Sequence, residues 1–244
     1  MNRCFAAALL YLCLIGCGSQ DDEWENLGCT APVPKGATTR FMKTYRAPPG
    51  SQELVDAGLN YLNGDGVPQS DDKAFYYLKQ AAEKGHAVAQ STLGTLYEGG
   101  NGTEQDQETA AKWYRRAAEQ GYSVAQENLG LDYSFGRGVQ RDTEAAAYWI
   151  SKAADGGFAP GQNDLGLRYL SGEGIPKDEK KGLDWLRKSA EQGYGCAYFN
   201  LGTAYATGSG VPQNLKEAAR LYKLSSDHGD VAADEELRRL NSMR

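Results

Sequence analysis

The chain repeats itself with a fixed step. The stretches AGLNYLNGDG (57 to 66), LGTLYEGGNG (93 to 102), LGLDYSFGRG (129 to 138), LGLRYLSGEG (165 to 174) and LGTAYATGSG (201 to 210) align so that Gly58, Gly94, Gly130, Gly166 and Gly202 follow one another at intervals of 36 residues. A unit of that size cannot bury its apolar face alone, so five copies in constant register point to a fold in which each copy covers the next.

Each copy reads as two helices. The spacing Ala-x-x-x-Leu-Gly-x-x-Tyr at 89 to 97, repeated at 125 to 133 and 197 to 205, puts apolar groups on one helical face. Gly64, Gly100, Gly136, Gly172 and Gly208 stop that first helix. A second helix follows, seen as AAKWYRRAAEQG at 110 to 121, and ends at Gly85, Gly121, Gly157, Gly193 and Gly229. Alanine pairs such as Ala117 and Ala118 give it a small-residue stripe, while Tyr77, Trp113, Trp149 and Trp185 supply bulk. The expected fold class is all-α: a right-handed α-solenoid of five 36-residue helix-turn-helix repeats over 51–229, with 230–244 as a C-terminal capping helix and tail.

Residues 70 to 73 read Ser-Asp-Asp-Lys, the Ser-x-x-Lys spacing that carries the nucleophile of penicillin-binding proteins and serine β-lactamases. The repeat register gives Ser70 another role. Its equivalents are Asp106, Asp142, Asp178 and Asn214, all residues whose short side chains accept a hydrogen bond from the free N–H groups at a helix start. Ser70 is therefore read as the first of five N-caps, and a β-lactamase-like hydrolase stands only as the remotest alternative.

The order Ala-x-x-x-Leu-Gly-x-x-Tyr-x-x-Gly-x-Gly-Val, an acidic cap, Ala-x-x-Trp-Tyr and Ala-Ala-Glu-x-Gly resembles the Sel-one-like repeat (SLR), a relative of the tetratricopeptide repeat. The resemblance covers 53 to 229. It departs locally at Thr103-Glu104, where other copies have Val-Pro, and at Gly161 and Gly182, where alanine is usual. The family's cysteine-rich branch has been linked to β-lactam binding, but its paired cysteines are missing from these repeats and that link does not carry over. What the resemblance implies is a non-catalytic adaptor that holds a protein partner. Periplasmic lipoproteins built from such repeats include immunity proteins that neutralise phospholipase-like toxins of type VI secretion, and that is the specific function expected here. A periplasmic scaffold or regulatory adaptor is the alternative.

In tetratricopeptide-like stacks the first helices line a concave groove. Positions two before, one after and five after the repeated glycine share one face, by their i, i+3, i+7 spacing. They give a candidate partner-binding set of Asp56, Leu59, Asn63, Thr92, Thr95, Asn128, Leu131, Phe135, Asp164, Leu167, Ser171, Asn200, Thr203 and Thr207, with Leu131, Phe135 and Leu167 as apolar anchors.

The amino terminus, MNRCFAAALLYLCLIGC, has one positive charge, an apolar run and a small residue before Cys17. It reads as a signal peptide over 1–16. Leu14-Ile15-Gly16-Cys17 resembles the lipobox of bacterial lipoproteins, which makes Cys17 the lipidation site and 17–50 an acylated tether of about 33 residues. Gly18 after the cysteine fits the outer membrane, so the expected location is the bacterial envelope, lipid-anchored and facing the periplasm. Loss of Arg3 with the signal takes the net charge from −6 to −7. That excess of acid argues against nucleic acid and leaves the lipid anchor as the only membrane contact. Beyond the signal and Cys17, Cys29 and Cys196 remain, and either a bridge or a buried free Cys196 fits the sequence. His86 shares its column with Tyr122, Phe158 and Tyr194, and His228 with Lys84, Gln120 and Gln192, so neither histidine sits in ligand spacing. No catalytic residue, metal or cofactor is expected.

Overall fold

The computed structural model describes residues 47 to 242, so the signal peptide, Cys17, Cys29 and nearly all of the tether lie outside the described residues. The described residues are all-helical, with no strand among them. They divide into two compact units, one ending at Phe158 and one beginning at Ala159.

The N-terminal unit holds three helix pairs: α1 (Gln52–Asn63) with α2 (Asp71–Glu83), α3 (Ala87–Gly99) with α4 (Gln107–Glu119), and α5 (Ser123–Phe135) with α6 (Thr143–Asp155). In the C-terminal unit, α7 (Ala159–Ser171) pairs with α8 (Glu179–Glu191) and α9 (Gly195–Thr207) with α10 (Leu215–Asp227), and α11 (Val231–Ser242) follows. Within each unit consecutive helices pack in chain order, as in an α-solenoid.

The repeated glycine is a contact point between the two helices of a pair. A Cβ on Gly58 would lie 2.6 Å from Leu78, on Gly94 2.7 Å from the Tyr114 ring, and on Gly130 2.6 Å from Ile150. The C-terminal unit repeats the arrangement at Gly166 with Leu186 and Gly202 with Tyr222, at 2.8 and 2.9 Å. Full burial of a side chain such as Leu78 or Ile150 contributes about 1.5–3 kcal/mol. The departure at Gly182 follows the same logic: a Cβ there would meet the Gly166 carbonyl and Leu170 at 2.8 Å, so two glycines let α7 and α8 approach backbone to backbone.

The residue ahead of each second helix is tied at both its side chain and its backbone. Ser70 Oγ accepts from the Lys73 N–H at 3.4 Å, Asp106 from Thr109 at 3.0 Å, and Asp142 from both Glu144 and Ala145 at 3.0 Å. Asp178 and Asn214 accept from Lys181 and Glu217 at 3.0 and 3.1 Å. The backbone N–H of each of these five residues also donates to a first-helix tyrosine carbonyl: Tyr61, Tyr97, Tyr133, Tyr169 and Tyr205 accept at 2.8–2.9 Å. The loop between the helices is thereby closed the same way five times. Gly138, at φ 62, shows how tightly such a loop meets its neighbour, since a Cβ there would come within 2.0 Å of the Gln107 carbonyl.

Successive pairs are joined by side chains that satisfy helix ends. Gln90 and Gln126 each donate to a carbonyl in the last turn of the preceding second helix, Ala82 and Ala118, at 3.1 Å. Within single pairs of the C-terminal unit, the column of Ala81, Ala117 and Ala153 becomes Ser189 and Ser225, whose hydroxyls tie the second helix to the start of its own first helix by donating to the Ala159 and Gly195 carbonyls at 2.6 and 2.9 Å. Helix α11 closes this unit, burying Ala233 and Leu240 against Phe199 and Tyr222, with Asp230 accepting from the Ala232 N–H at 3.0 Å. Cys196 is buried, and it is the only cysteine among the described residues.

Candidate protein-binding surface

The Ser70–Lys73 spacing resolves into two separate local contacts. The serine oxygen accepts the Lys73 backbone N–H, and the Lys73 ammonium lies over the Tyr61 ring, 4.9 Å from its centroid. Ser70 thus serves the helix start. His86, buried at the start of α3, has Nε2 3.2 Å from Gln52 Oε1; burial lowers its pKa, with Asp56 acting in the opposite sense. His228 is exposed, with Nδ1 2.7 Å from the Leu224 carbonyl. Among the described residues no group of His, Cys, Asp or Glu could hold a metal ion.

The first helices carry the candidate binding residues, and the structure sorts them. In the N-terminal unit Asp56, Asn63, Thr95 and Phe135 are exposed, and Leu59, Thr92 and Asn128 half-buried. In the C-terminal unit Ser171 and Thr207 are exposed and Asp164 and Thr203 half-buried. Leu131 and Leu167 correct the expectation of exposed apolar anchors, being only 8% and 1% exposed. The position after the repeated glycine leans toward its own second helix. Leu167 accordingly joins the buried cluster of Leu170, Leu183 and Leu186, and at the same position Thr95 and Thr203 reach Tyr114 and Tyr222. Asn200 is buried too, donating to Asn163 Oδ1 at 2.8 Å. Phe135, 42% exposed, is the one large apolar side chain of the set left at the surface.

A charged cluster that the repeat pattern did not reveal holds Phe135. Arg137 packs over its ring at 5.6 Å, and Arg137 Nη1 donates to Glu98 Oε1 at 3.0 Å. Glu98 Oε2 accepts from Tyr114 OH at 2.8 Å, and Asp132 Oδ1 lies 3.3 Å from Arg137 Nε as a charge contact. Asp132 is 3% exposed, and burial pushes its carboxyl up to about 7, with Glu98 adding to the rise and Arg137 opposing it. Burial also raises the Tyr114 phenol well above its ordinary value, so this ring stays a neutral hydrogen-bond donor. The available signal was a break in the columns: Glu98 stands where other repeats have Leu62, Ser134 and Leu170, and Asp132 where they have Asn60, Leu96 and Arg168.

Arg137, in the loop, is the cation of this cluster, and the first helices themselves add only acids. Helices α1, α3 and α5 contain Glu53, Asp56, Glu98, Glu127 and Asp132 and no Lys, Arg or His. The exposed Phe135 ring, with the exposed carboxylates Glu53 and Asp56 on α1, suits a partner that brings cations and an apolar socket.

The Sel1 repeat family model matches five consecutive segments, residues 55–86, 87–122, 123–158, 159–194 and 197–230. This chain is a Sel1-repeat protein. A Sel1 repeat protein from Oxalobacter formigenes is 33% identical to it, with a TM-score of 0.74 over 82% of this chain and 79% of that one. The protective antigen c5321 of uropathogenic Escherichia coli, which displays an SLR fold, is 37% identical with a TM-score of 0.69. That match covers 77% of this chain and only 40% of the antigen, so the Sel1-repeat protein spans less than half of its relative's length. The immunity protein Pa5087 of Pseudomonas aeruginosa shares the fold at 23% identity and a TM-score of 0.55, over 78% of this chain and 70% of that one. No curated protein matches the chain. Sel1 repeats are protein-interaction modules, and none of the described helices is long and apolar enough to cross a membrane.

Proposed function

We propose that this Sel1-repeat protein is a non-catalytic envelope lipoprotein that binds a secreted toxin, of the type VI phospholipase kind, and neutralises it sterically as an immunity protein. The observation that carries the reading is Phe135, an exposed ring braced by Arg137 at the end of first helices that contain acids and no bases. Such a braced aromatic loses little conformational freedom on binding and suits the centre of a protein interface. Pa5087 and a second immunity protein of Pseudomonas aeruginosa, PA5088, lend the toxin reading their support through shared fold. Lipidation at Cys17 would hold the protein on the periplasmic side of the outer membrane, where an incoming toxin is met.

The test is calorimetry against the product of the adjacent gene. Phe135→Ala combined with Asp56→Lys in the N-terminal unit, and Asp164→Lys alone in the C-terminal unit, should each weaken binding, the first by about tenfold or more, with the melting temperature unchanged. Unaltered binding in both variants would remove the first helices as the binding face. Cys17→Ala should release the protein from membranes, and a variant that still fractionates with them would refute the anchor.

A further inference from the structure

The second helices of the N-terminal unit carry a charge pattern that the toxin-binding reading does not use. Across α2, α4 and α6, the equivalent stretches 73 to 80, 109 to 116 and 145 to 152 hold every Lys and Arg of these helices and no Asp or Glu. The acids stand at the ends in sequence, with Asp71, Asp72, Glu108 and Glu144 in the first turns and Glu83, Glu119 and Asp155 in the last, and Glu108 reaches the Lys112 ammonium at 2.7 Å. The pattern stops at the C-terminal unit, where Asp184 and Glu217 enter the corresponding stretches of α8 and α10.

This cationic band also carries exposed aromatic side chains. Tyr76 and Tyr148 occupy the same position two repeats apart and are 61% and 54% exposed. Each is set by an edge-to-face neighbour, Tyr77 at 5.3 Å and Trp149 at 5.2 Å. Between them, Arg116 stacks on Trp113 at 4.4 Å, and Lys152 lies over Tyr148 at 5.4 Å. Rings and cations are therefore held together before any ligand arrives, which lowers the ordering cost of binding.

We propose that this band is a second docking surface and that it takes an extended acidic segment of a protein partner, with aromatic or aliphatic side chains between its carboxylates. The width of the band decides among polyanions. Eight helical residues span about 12 Å along each axis, enough for one extended chain laid across the three helices. A flat anionic bilayer would be pressed against the acids at both helix ends as well.

The measurement is fluorescence anisotropy of a labelled Glu-Glu-Tyr repeat peptide against the full chain. Wild-type protein should bind saturably at low salt and ignore a Lys-Lys-Tyr peptide of the same length. Lys112→Glu with Arg116→Glu, and separately Tyr76→Ala with Tyr148→Ala, should each weaken binding about tenfold at unchanged melting temperature, since both Lys112 and Arg116 are exposed. Phe135→Ala should leave this binding intact, which separates the band from the first-helix surface. The proposal is overturned if the wild type fails to bind the acidic peptide, if the variants bind as well as the wild type, or if phosphatidylglycerol vesicles or a single-stranded oligonucleotide bind more tightly through the same four residues.

Discussion

Thr95 Oγ1 lies 3.1 Å from Tyr114 OH, and three repeats later the pair returns as Thr203 and Tyr222 at 3.2 Å. In the other repeats the same two positions hold Leu59 with Leu78, Leu131 with Ile150 and Leu167 with Leu186. A phenol buried in the second helix is thus matched by a hydroxyl in the first, and an aliphatic second-helix residue by leucine. Thr203→Val should cost about 1 kcal/mol in urea unfolding, Tyr222→Phe a similar amount, and the double variant clearly less than the sum. Strict additivity would mean that the two hydroxyls do not interact.

Helix capping predicts a graded series. Asp142 accepts from two backbone N–H groups at 3.0 Å, whereas Ser70 accepts from one at 3.4 Å. Asp142→Ala should therefore destabilise by about 1–2 kcal/mol and Ser70→Ala by about 0.5–1 kcal/mol. An order reversed between the two, measured by thermal unfolding, would contradict the geometry.

Crowding at the repeated glycine is testable in one variant and its rescue. Gly130→Ala places a methyl 2.6 Å from Ile150 and 3.2 Å from the Ala146 carbonyl, and should cost about 1–3 kcal/mol. In an Ile150→Ala background, which removes the Cγ1 atom that the methyl meets, the same Gly130→Ala change should cost less. No change in stability for Gly130→Ala would show that the two helices can part without penalty.

Asp132 gives the fold a pH dependence with a definite sign. Its folded pKa of about 7 lies above the ordinary 3.8, so between those values the folded protein holds a proton that the unfolded chain has released. Its contribution is greatest below pH 4 and is lost as pH rises to 7. His86, lowered by burial, acts oppositely, gaining as pH rises toward 6.5, so the comparison must be between variants. Asp132→Asn should be more stable than the wild type at pH 8, by about 1–3 kcal/mol, and the difference should shrink toward pH 5. A constant difference across that range would exclude the carboxylate as the source.

The architecture was legible because it rests on period. One glycine every 36 residues fixed the helix pairs, and the column containing Ser70 identified it as a cap without any structure. The surface was harder to read because a helical face is broad: the position after the glycine counts as outward by spacing alone, yet Leu167 packs inward on Leu183 and Leu186. Net charge concealed more. A total of −6 argues against nucleic acid, but it hides that the second helices of the N-terminal unit keep their cations at the centre and their carboxylates at the ends. A sum over the chain cannot register that separation.

Both members of each compensating pair, Thr95 with Tyr114 and Gly130 with Ile150, fall inside one repeat. A gene that exchanged, duplicated or lost a stretch of whole repeat length would carry the bulky residue and its accommodation together. The loop closed from cap to tyrosine carbonyl would travel with them. Part of what joins one repeat to the next is a glutamine reaching a main-chain carbonyl, an acceptor that every sequence offers. Arrays of this kind can therefore change length by recombination in a single event, and diverge at their surfaces afterwards.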